Sequence, residues 1–155
     1  MSGATGQLYG NHYTWTFTSG WQSHLDTPGV KQLQYMKRLF ATRPWWQLVP
    51  DQTHAVVTAG YGTFADDGSI EANDYVTAAS VPDGSLVMAY CPVATTLTVD
   101  MTKLRGLTRA RWYDPSNGTF TSGSLVPNNG SRTFTTPGRN NDGDADWVLV
   151  LESLR

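Results

Sequence analysis

Beyond residue 53 the chain consists of short apolar runs with a period of two, separated by sequences typical of turns. Successive side chains of a β-strand point to opposite faces, so this period indicates strands rather than helices. The turn sequences combine proline, a side-chain acceptor and glycine, as in Pro82-Asp83-Gly84 and Asn128-Asn129-Gly130. The runs predict strands at 54–59, 74–80, 85–91, 95–100, 108–113, 118–122, 131–135 and 146–151.

Short strands spaced about 8–12 residues apart are typical of an antiparallel sandwich or barrel. We therefore predict a mainly β fold, an antiparallel β-sandwich of about eight strands with an N-terminal extended segment and one α-helix. The run Trp147-Val148-Leu149-Val150-Leu151 is apolar on both faces, which predicts a central strand. A chain of 155 residues without helix–strand alternation excludes a complete (β/α)₈ barrel.

The first 52 residues differ in character and are predicted to form an N-terminal segment, with residues 53–155 forming the sandwich. Alternation over residues 13–17 predicts a short extended piece. A helix is predicted over 28–42, capped by Asp26 or Thr27, with Pro28 in its first turn and Pro44 beyond its end. Its apolar stripe comprises Val30, Leu33, Met36, Leu39 and Phe40.

Composition excludes several functional classes. Charged residues make up 15% of the chain and the net charge is −2, which gives no electrostatic reason to expect nucleic acid or a membrane as partner. The sequence has no apolar run of membrane-spanning length and no signal peptide. Cys91 is the only cysteine, so we expect a core thiol in a buried strand and no internal disulfide.

The acidic residues do not form a recognisable catalytic pair. Glycoside hydrolysis needs two carboxyl groups placed across the scissile bond. The only glutamates are Glu71, in the loop 66–71, and Glu152, just after the last predicted strand, and we expect both to be solvated or turn residues. The aspartates cluster in predicted turns. An aspartate pair hidden from sequence reasoning remains an open alternative.

Aromatic residues are the best candidates for ligand binding, because an aromatic ring can stack on the apolar face of a sugar. In the N-terminal segment, histidine and asparagine beside the rings can bond to sugar hydroxyls. Trp45 and Trp46 could form an exposed platform or staple the helix to a sheet, and of Trp112 and Tyr113 one ring should be core and the other free. The candidate ligand-binding residues are Tyr9, Asn11, His12, Trp15, Trp45, Trp46 and Tyr113.

Metal binding receives little support. His12, His24 and His54 form no close ligand pair. The acidic stretch 140–146 resembles a calcium loop but lacks the terminal glutamate at the expected spacing, so a solvated hairpin loop is predicted. We predict no metal and no cofactor.

Seven sequence blocks, in this order, resemble the C-terminal region of apiosidase-like bacterial glycoside hydrolases. That family pairs a (β/α)₈ catalytic barrel with a C-terminal sandwich labelled a putative collagen-binding domain of a collagenase. The blocks are Tyr9-Gly10-Asn11-His12, Pro28-Gly29, Arg43-Pro44-Trp45-Trp46, Leu48-Val49-Pro50-Asp51-Gln52, Trp112-Tyr113-Asp114-Pro115, Arg132-Thr133-Phe134 and Asp146-Trp147-Val148-Leu149-Val150-Leu151.

The resemblance implies that residues 1–50 correspond to the last βα unit of the barrel and its connection, and that the catalytic carboxylates lie on barrel strands upstream. We therefore expect a non-catalytic accessory module of a secreted or periplasmic bacterial enzyme, which stabilises the barrel and binds glycan. Its partners would be polysaccharide or the parent catalytic barrel. Two alternatives stay open: an autonomous glycoside hydrolase acting on plant polysaccharide through an unrecognised Asp pair, and a structural fragment that self-associates.

Overall fold

The predicted strands, together with two short strands at 49–50 and 124–126 that the sequence did not predict, form two antiparallel sheets. The computed structural model describes residues 1–4, 6, 8–65 and 73–154, and in these residues the strand order is β1-β3-β4-β10-β6-β7, with β8 also paired to β6, in the larger sheet and β2-β5-β9 in the smaller. The mainly β sandwich is thus confirmed. The strands are β1 Val49–Pro50, β2 Val57–Ala59, β3 Thr77–Ser80, β4 Leu86–Cys91, β5 Thr96–Asp100, β6 Thr108–Asp114, β7 Thr119–Phe120, β8 Ser124–Val126, β9 Ser131–Thr135 and β10 Trp147–Ser153.

The last strand lies at the centre of the larger sheet, as its apolar sequence predicted. β10 pairs with β4 on one side and β6 on the other, so that Leu149 lies between Ala89 and Trp112. Alternate residues of β4 and β10 face opposite layers, and both sets are buried. These two strands therefore require covering layers on both faces of the sheet.

The inner face of the larger sheet packs on the smaller sheet. Val87 and Leu149 there contact a cluster that includes Leu97 and Val99 of β5. The outer face, with Met88 and Val150, belongs to a second cluster together with Leu39. The fold therefore has three layers: the smaller sheet, the larger sheet, and the N-terminal segment.

The N-terminal segment contains two α-helices, α1 (His12–Thr16) and α2 (Pro28–Ala41). α2 confirms the predicted helix, with Thr27 at the N-cap position and Pro28 in the first turn. The prediction of an extended piece at 13–17 was wrong, because the side chain of Asn11 accepts hydrogen bonds from the backbone N–H groups of Tyr13 and Thr14 and starts a helical turn. Neither α-helix has the length and apolar character needed to cross a bilayer.

Gly60, directly after β2, packs closely against the backbone of β5. It has a φ of +77°, and a Cβ built there would clash with the backbone oxygen of Thr96. Gly130 has a φ of +59° with no atom within 4 Å of the equivalent Cβ, so it serves as a control for backbone strain alone.

We predict that Gly60→Ala lowers the free energy of unfolding by about 3 kcal/mol, because strain and a backbone clash add. Gly130→Ala should cost only about 1 kcal/mol from the left-handed conformation. Urea unfolding of both variants measures the difference. Equal losses of unfolding free energy in the two variants would show that Thr96 does not pack closely against Gly60.

Candidate functional site

The junction between the N-terminal segment and the sandwich is built around Arg43. This residue follows α2, and its Nη1 donates to the backbone oxygen of Leu39 at 2.6 Å and to the Thr42 hydroxyl at 3.0 Å. A guanidinium there satisfies a carbonyl that the helix end leaves without an intrahelical partner and offsets the negative end of the helix dipole. Arg43 therefore ends α2 and presents a cation to the sheet.

On the sandwich side, Glu152 forms an ion pair with Arg43. Arg43 Nε lies 3.0 Å from Glu152 Oε1, an ion-pair contact in which the N–H is not aligned as a hydrogen bond. Arg111 Nη2 of β6 donates to Glu152 Oε2 at 2.6 Å. The expectation that Glu152 is a solvated or turn residue was wrong, because β10 extends to Ser153 and places Glu152 between the two arginines.

An aromatic ring completes this network. The guanidinium carbon of Arg111 lies 4.0 Å from the ring centroid of Phe120, and that of Arg43 lies 5.3 Å from it. Guanidinium groups stack favourably on aromatic faces when water is excluded. Burial lowers the pKa of Arg43 from its usual value, an effect that the charge of Glu152 opposes. We call Arg43, Glu152, Arg111 and Phe120 the junction network.

Tyr35 makes a second contact across the junction. The hydroxyl of Tyr113 in β6 donates to the Tyr35 backbone oxygen at 2.9 Å. The Tyr35 ring packs on the turn at Gly118, where a Cβ would lie 2.6 Å from Tyr35 Cδ1. Tyr113 is only 3% exposed, so most of its ring forms part of the core, and its expected role as a stacking surface for a sugar stays a prediction.

The predicted N-terminal candidates surround α1. The side-chain oxygen of Asn11 caps that helix, and its amide nitrogen lies 3.4 Å from the His24 backbone oxygen. The Tyr13 ring stacks on His24 with centroids 3.5 Å apart, and the exposed ring of His12 meets Tyr13 edge to face. Asn11 thus has a structural role that explains its place in the sequence.

The remaining aromatic candidates are available to solvent. Trp15 is 80% exposed and Trp46 is 67% exposed. Trp45 is partly covered and meets Trp46 edge to face, with centroids 6.2 Å apart. The two tryptophans form one turn of 3₁₀ helix, Trp45–Gln47, between α2 and β1. Burial as a staple between helix and sheet is therefore not observed for Trp46.

The loop 140–146 is organised by an asparagine. Asn140 is buried, its side-chain oxygen accepts from the backbone N–H groups of Asp142 and Asp144, and its amide donates to Asp146 Oδ1 at 2.6 Å. In the part of the chain that the structure describes, no group of three or more His, Cys, Asp or Glu side chains could hold a metal ion. Glu71 and the loop 66–71 lie outside the described residues. The other glutamate, Glu152, lies within them.

Two further predicted core residues lie in the core. Cys91 is fully buried, and burial raises the pKa of its thiol to about 12, so the thiol stays protonated at neutral pH. Trp147 is buried, and its indole N–H donates to the Gly138 oxygen at 2.8 Å.

Comparisons with known proteins agree with this organisation. Residues 63–152 match the family model described as "Putative collagen-binding domain of a collagenase", and residues 1–47 match "Apiosidase-like, catalytic domain". No curated protein matches the chain.

Solved structures show the same fold. A protein named "Glycoside hydrolase" is 26% identical with a TM-score of 0.65, over 86% of this chain and 27% of that chain. A glycoside hydrolase family 5 from Bacteroides vulgatus ATCC 8482 is 24% identical with a TM-score of 0.68, over 86% of this chain and 26% of that chain. The chain therefore spans about a quarter of each of these proteins.

We predict that Arg43→Ala lowers the free energy of unfolding by about 2 kcal/mol, because it removes a nearly buried side chain with its helix-end hydrogen bonds and one of the two cations paired with Glu152. Arg105→Ala is the matched control. Arg105 forms an ion pair with Asp83 in which both side chains are well exposed, and its loss should cost at most about 1 kcal/mol. Urea denaturation of both variants measures the two costs, and equal costs would contradict the role assigned to the junction network.

Proposed function

Because this chain belongs to the family described as "Putative collagen-binding domain of a collagenase", we propose that it is the non-catalytic accessory module of a secreted bacterial glycoside hydrolase. In this proposal the sandwich stabilises the catalytic barrel of its parent enzyme and binds glycan. The chain carries a segment similar to an apiosidase-like catalytic domain ahead of its sandwich. Its solved relatives are about four times longer than the part that this chain covers.

The junction network is the observation that carries the proposal. A cation from the segment similar to a catalytic domain is buried against two strands of the sandwich through Glu152. Arg43 is only 8% exposed, so its ion pair belongs to a close contact between the two parts and not to a solvated surface. An accessory module that stabilises a barrel needs such a rigid attachment rather than a flexible linker.

The outer surface of the N-terminal segment supports a barrel as partner. Trp15, Phe17 and Leu25 are each more than half exposed, and all three lie within the region that matches the catalytic domain. Large apolar side chains grouped in this way are typical of a surface that another part of a protein covers. We propose that the remainder of the catalytic barrel packs there, and self-association through the same face is the competing outcome.

The described aspartates give little support to an autonomous hydrolase. Asp114 is buried, and its two oxygens accept from Ser116 and from the backbone N–H of Asn141. Asp146 accepts from Tyr90 and Asn140. Both carboxyl groups hold turns and loops together, which is the usual role of aspartate in such positions.

We predict that the purified chain releases no reducing sugar from pectic, hemicellulosic or cellulosic polysaccharides. We also predict that it retains one or more of these polysaccharides through its exposed tryptophans. In the purified chain, where no barrel covers Trp15, Trp46→Ala and Trp15→Ala should each weaken retention about tenfold, since stacking rings supply much of the energy of glycan binding. Affinity electrophoresis measures retention, with fibrillar collagen tested alongside.

Leu125→Ala is the control, because Leu125 is an exposed apolar residue on β8, a strand that carries neither tryptophan. Its retention should equal that of the unaltered chain. Sugar release would overturn the non-catalytic assignment. A dimer in sedimentation velocity that Phe17→Ser abolishes would favour the self-associating alternative.

A further inference from the structure

A cleft of about 900 Å³ lies between α2 and the outer face of the larger sheet. Its volume falls in the range of about 300–1,000 Å³ that is typical of small-molecule sites. One wall comes from residues of α2 between Gly29 and Phe40, and the other from Met88, Tyr90 and Val148. The junction network holds the C-terminal end of α2, so it also fixes the position of the first wall.

The two walls of the cleft are mainly apolar. Leu33 and Met36 face it from α2, and Pro92 and Val93 border it after β4. Met36 is 39% exposed and Val93 is also 39% exposed, so both offer uncovered apolar surface. These walls suit a ligand with an apolar face.

One end of the cleft is polar and held rigidly. Asp144 and Asp146 line it together with Asn140. Tyr90 donates to Asp146 Oδ2 at 3.2 Å, and Asn140 both donates to Asp146 Oδ1 and accepts from the backbone N–H of Asp144. The loop that carries these carboxylates is therefore organised before any ligand arrives, which lowers the entropic cost of binding.

The charges of the lining limit what can bind. The charged side chains of the described lining are two carboxylates, with neither lysine nor arginine, and Met1, which carries the α-amino group, also borders the cleft. A carboxylate accepts up to about four hydrogen bonds, so Asp146 keeps acceptor capacity beyond its two partners. A ligand that carries many donors and no negative charge complements such a lining, whereas a uronic acid chain would be repelled.

We propose that this cleft is a binding site for a neutral saccharide. The apolar face of a sugar ring would lie against Met36 and Val148, and its hydroxyl groups would donate to Asp144 and Asp146. This site rests on the glycan-binding part of the proposed function and adds a second site, whose described lining contains neither Trp15 nor Trp46. Partial burial, which raises the pKa of Asp146, agrees with a carboxyl group set back from bulk water.

Gly29 gives a way to disturb the cleft without disturbing the fold. Tyr9 lines the cleft and bonds to the Thr27 hydroxyl at 3.1 Å. A Cβ at Gly29 would lie 3.0 Å from Tyr9 Oη and 3.1 Å from Tyr9 Cε2, so alanine there would shift the end of the Tyr9 ring by a few tenths of an ångström. The same change favours helix formation, because alanine is the better helix former.

The test is calorimetric titration of the whole chain with three hexasaccharides of different charge: xylohexaose, hexagalacturonic acid and hexaglucosamine. We expect xylohexaose to bind and hexagalacturonic acid not to bind. Gly29→Ala should weaken xylohexaose binding at least about fivefold without lowering the thermal midpoint. Asp144→Asn should weaken it about tenfold, since hydrogen bonds to a charged acceptor are the stronger ones.

Asp142→Asn is the matched control, because Asp142 lies in the same loop and does not line the cleft, so its xylohexaose affinity should be unchanged. Absence of xylohexaose binding at 10 mM, on the order of the weakest affinities of interest, would overturn the proposal. Binding that Gly29→Ala and Asp144→Asn leave unchanged would overturn it too, as would binding of hexaglucosamine alone.

These outcomes are separable from failure of the proposed function. If the cleft binds no saccharide, the junction network and the prediction that the chain releases no sugar are unaffected. Release of xylose oligomers during the titration would instead contradict the non-catalytic assignment, whatever the affinities.

Discussion

The ion pairs of Glu152 with Arg43 and Arg111 are the interaction on which the arrangement of this protein depends. They join the residue that ends α2 to two neighbouring strands of the larger sheet, β10 and β6. Arg43 is almost fully buried in this contact, so its guanidinium holds the N-terminal segment against the sandwich in one geometry. The same contact orients α2 along the outer face of the sheet and so forms the cleft.

The apolar layers supply most of the stabilising free energy, and the junction network supplies specificity. β4 and β10 are buried on both faces, so the outer face of the larger sheet needs a cover. Leu39 provides part of that cover from α2. Apolar packing alone would tolerate sliding of the helix, whereas the bonds of Arg43 to Leu39 and its contact with Glu152 fix one position.

Local sequence signals predicted the strands, the helix and the central position of β10, because period and turn chemistry act over a few residues. Pairs distant in sequence could not be predicted. Nothing near Glu152 indicates that Arg43, more than a hundred positions earlier, lies 3.0 Å away. Over residues 13–17, the alternation of aromatic and threonine residues indicated a strand. The N-cap hydrogen bonds of Asn11 instead stabilise a helix there, α1. Of the site candidates, Tyr113 is core and Asn11 caps a helix, whereas the exposed tryptophans stay predictions.

The most direct test of the account is native-state hydrogen exchange of the amides of α2 compared with those of β10. If the junction network makes the segment and the sandwich one cooperative unit, the last two turns of α2 should exchange through global unfolding. Their opening free energies should then agree with those of β10 to within about 1 kcal/mol. Exchange of α2 many orders of magnitude faster than β10 would show that the helix opens alone, and would contradict the central claim.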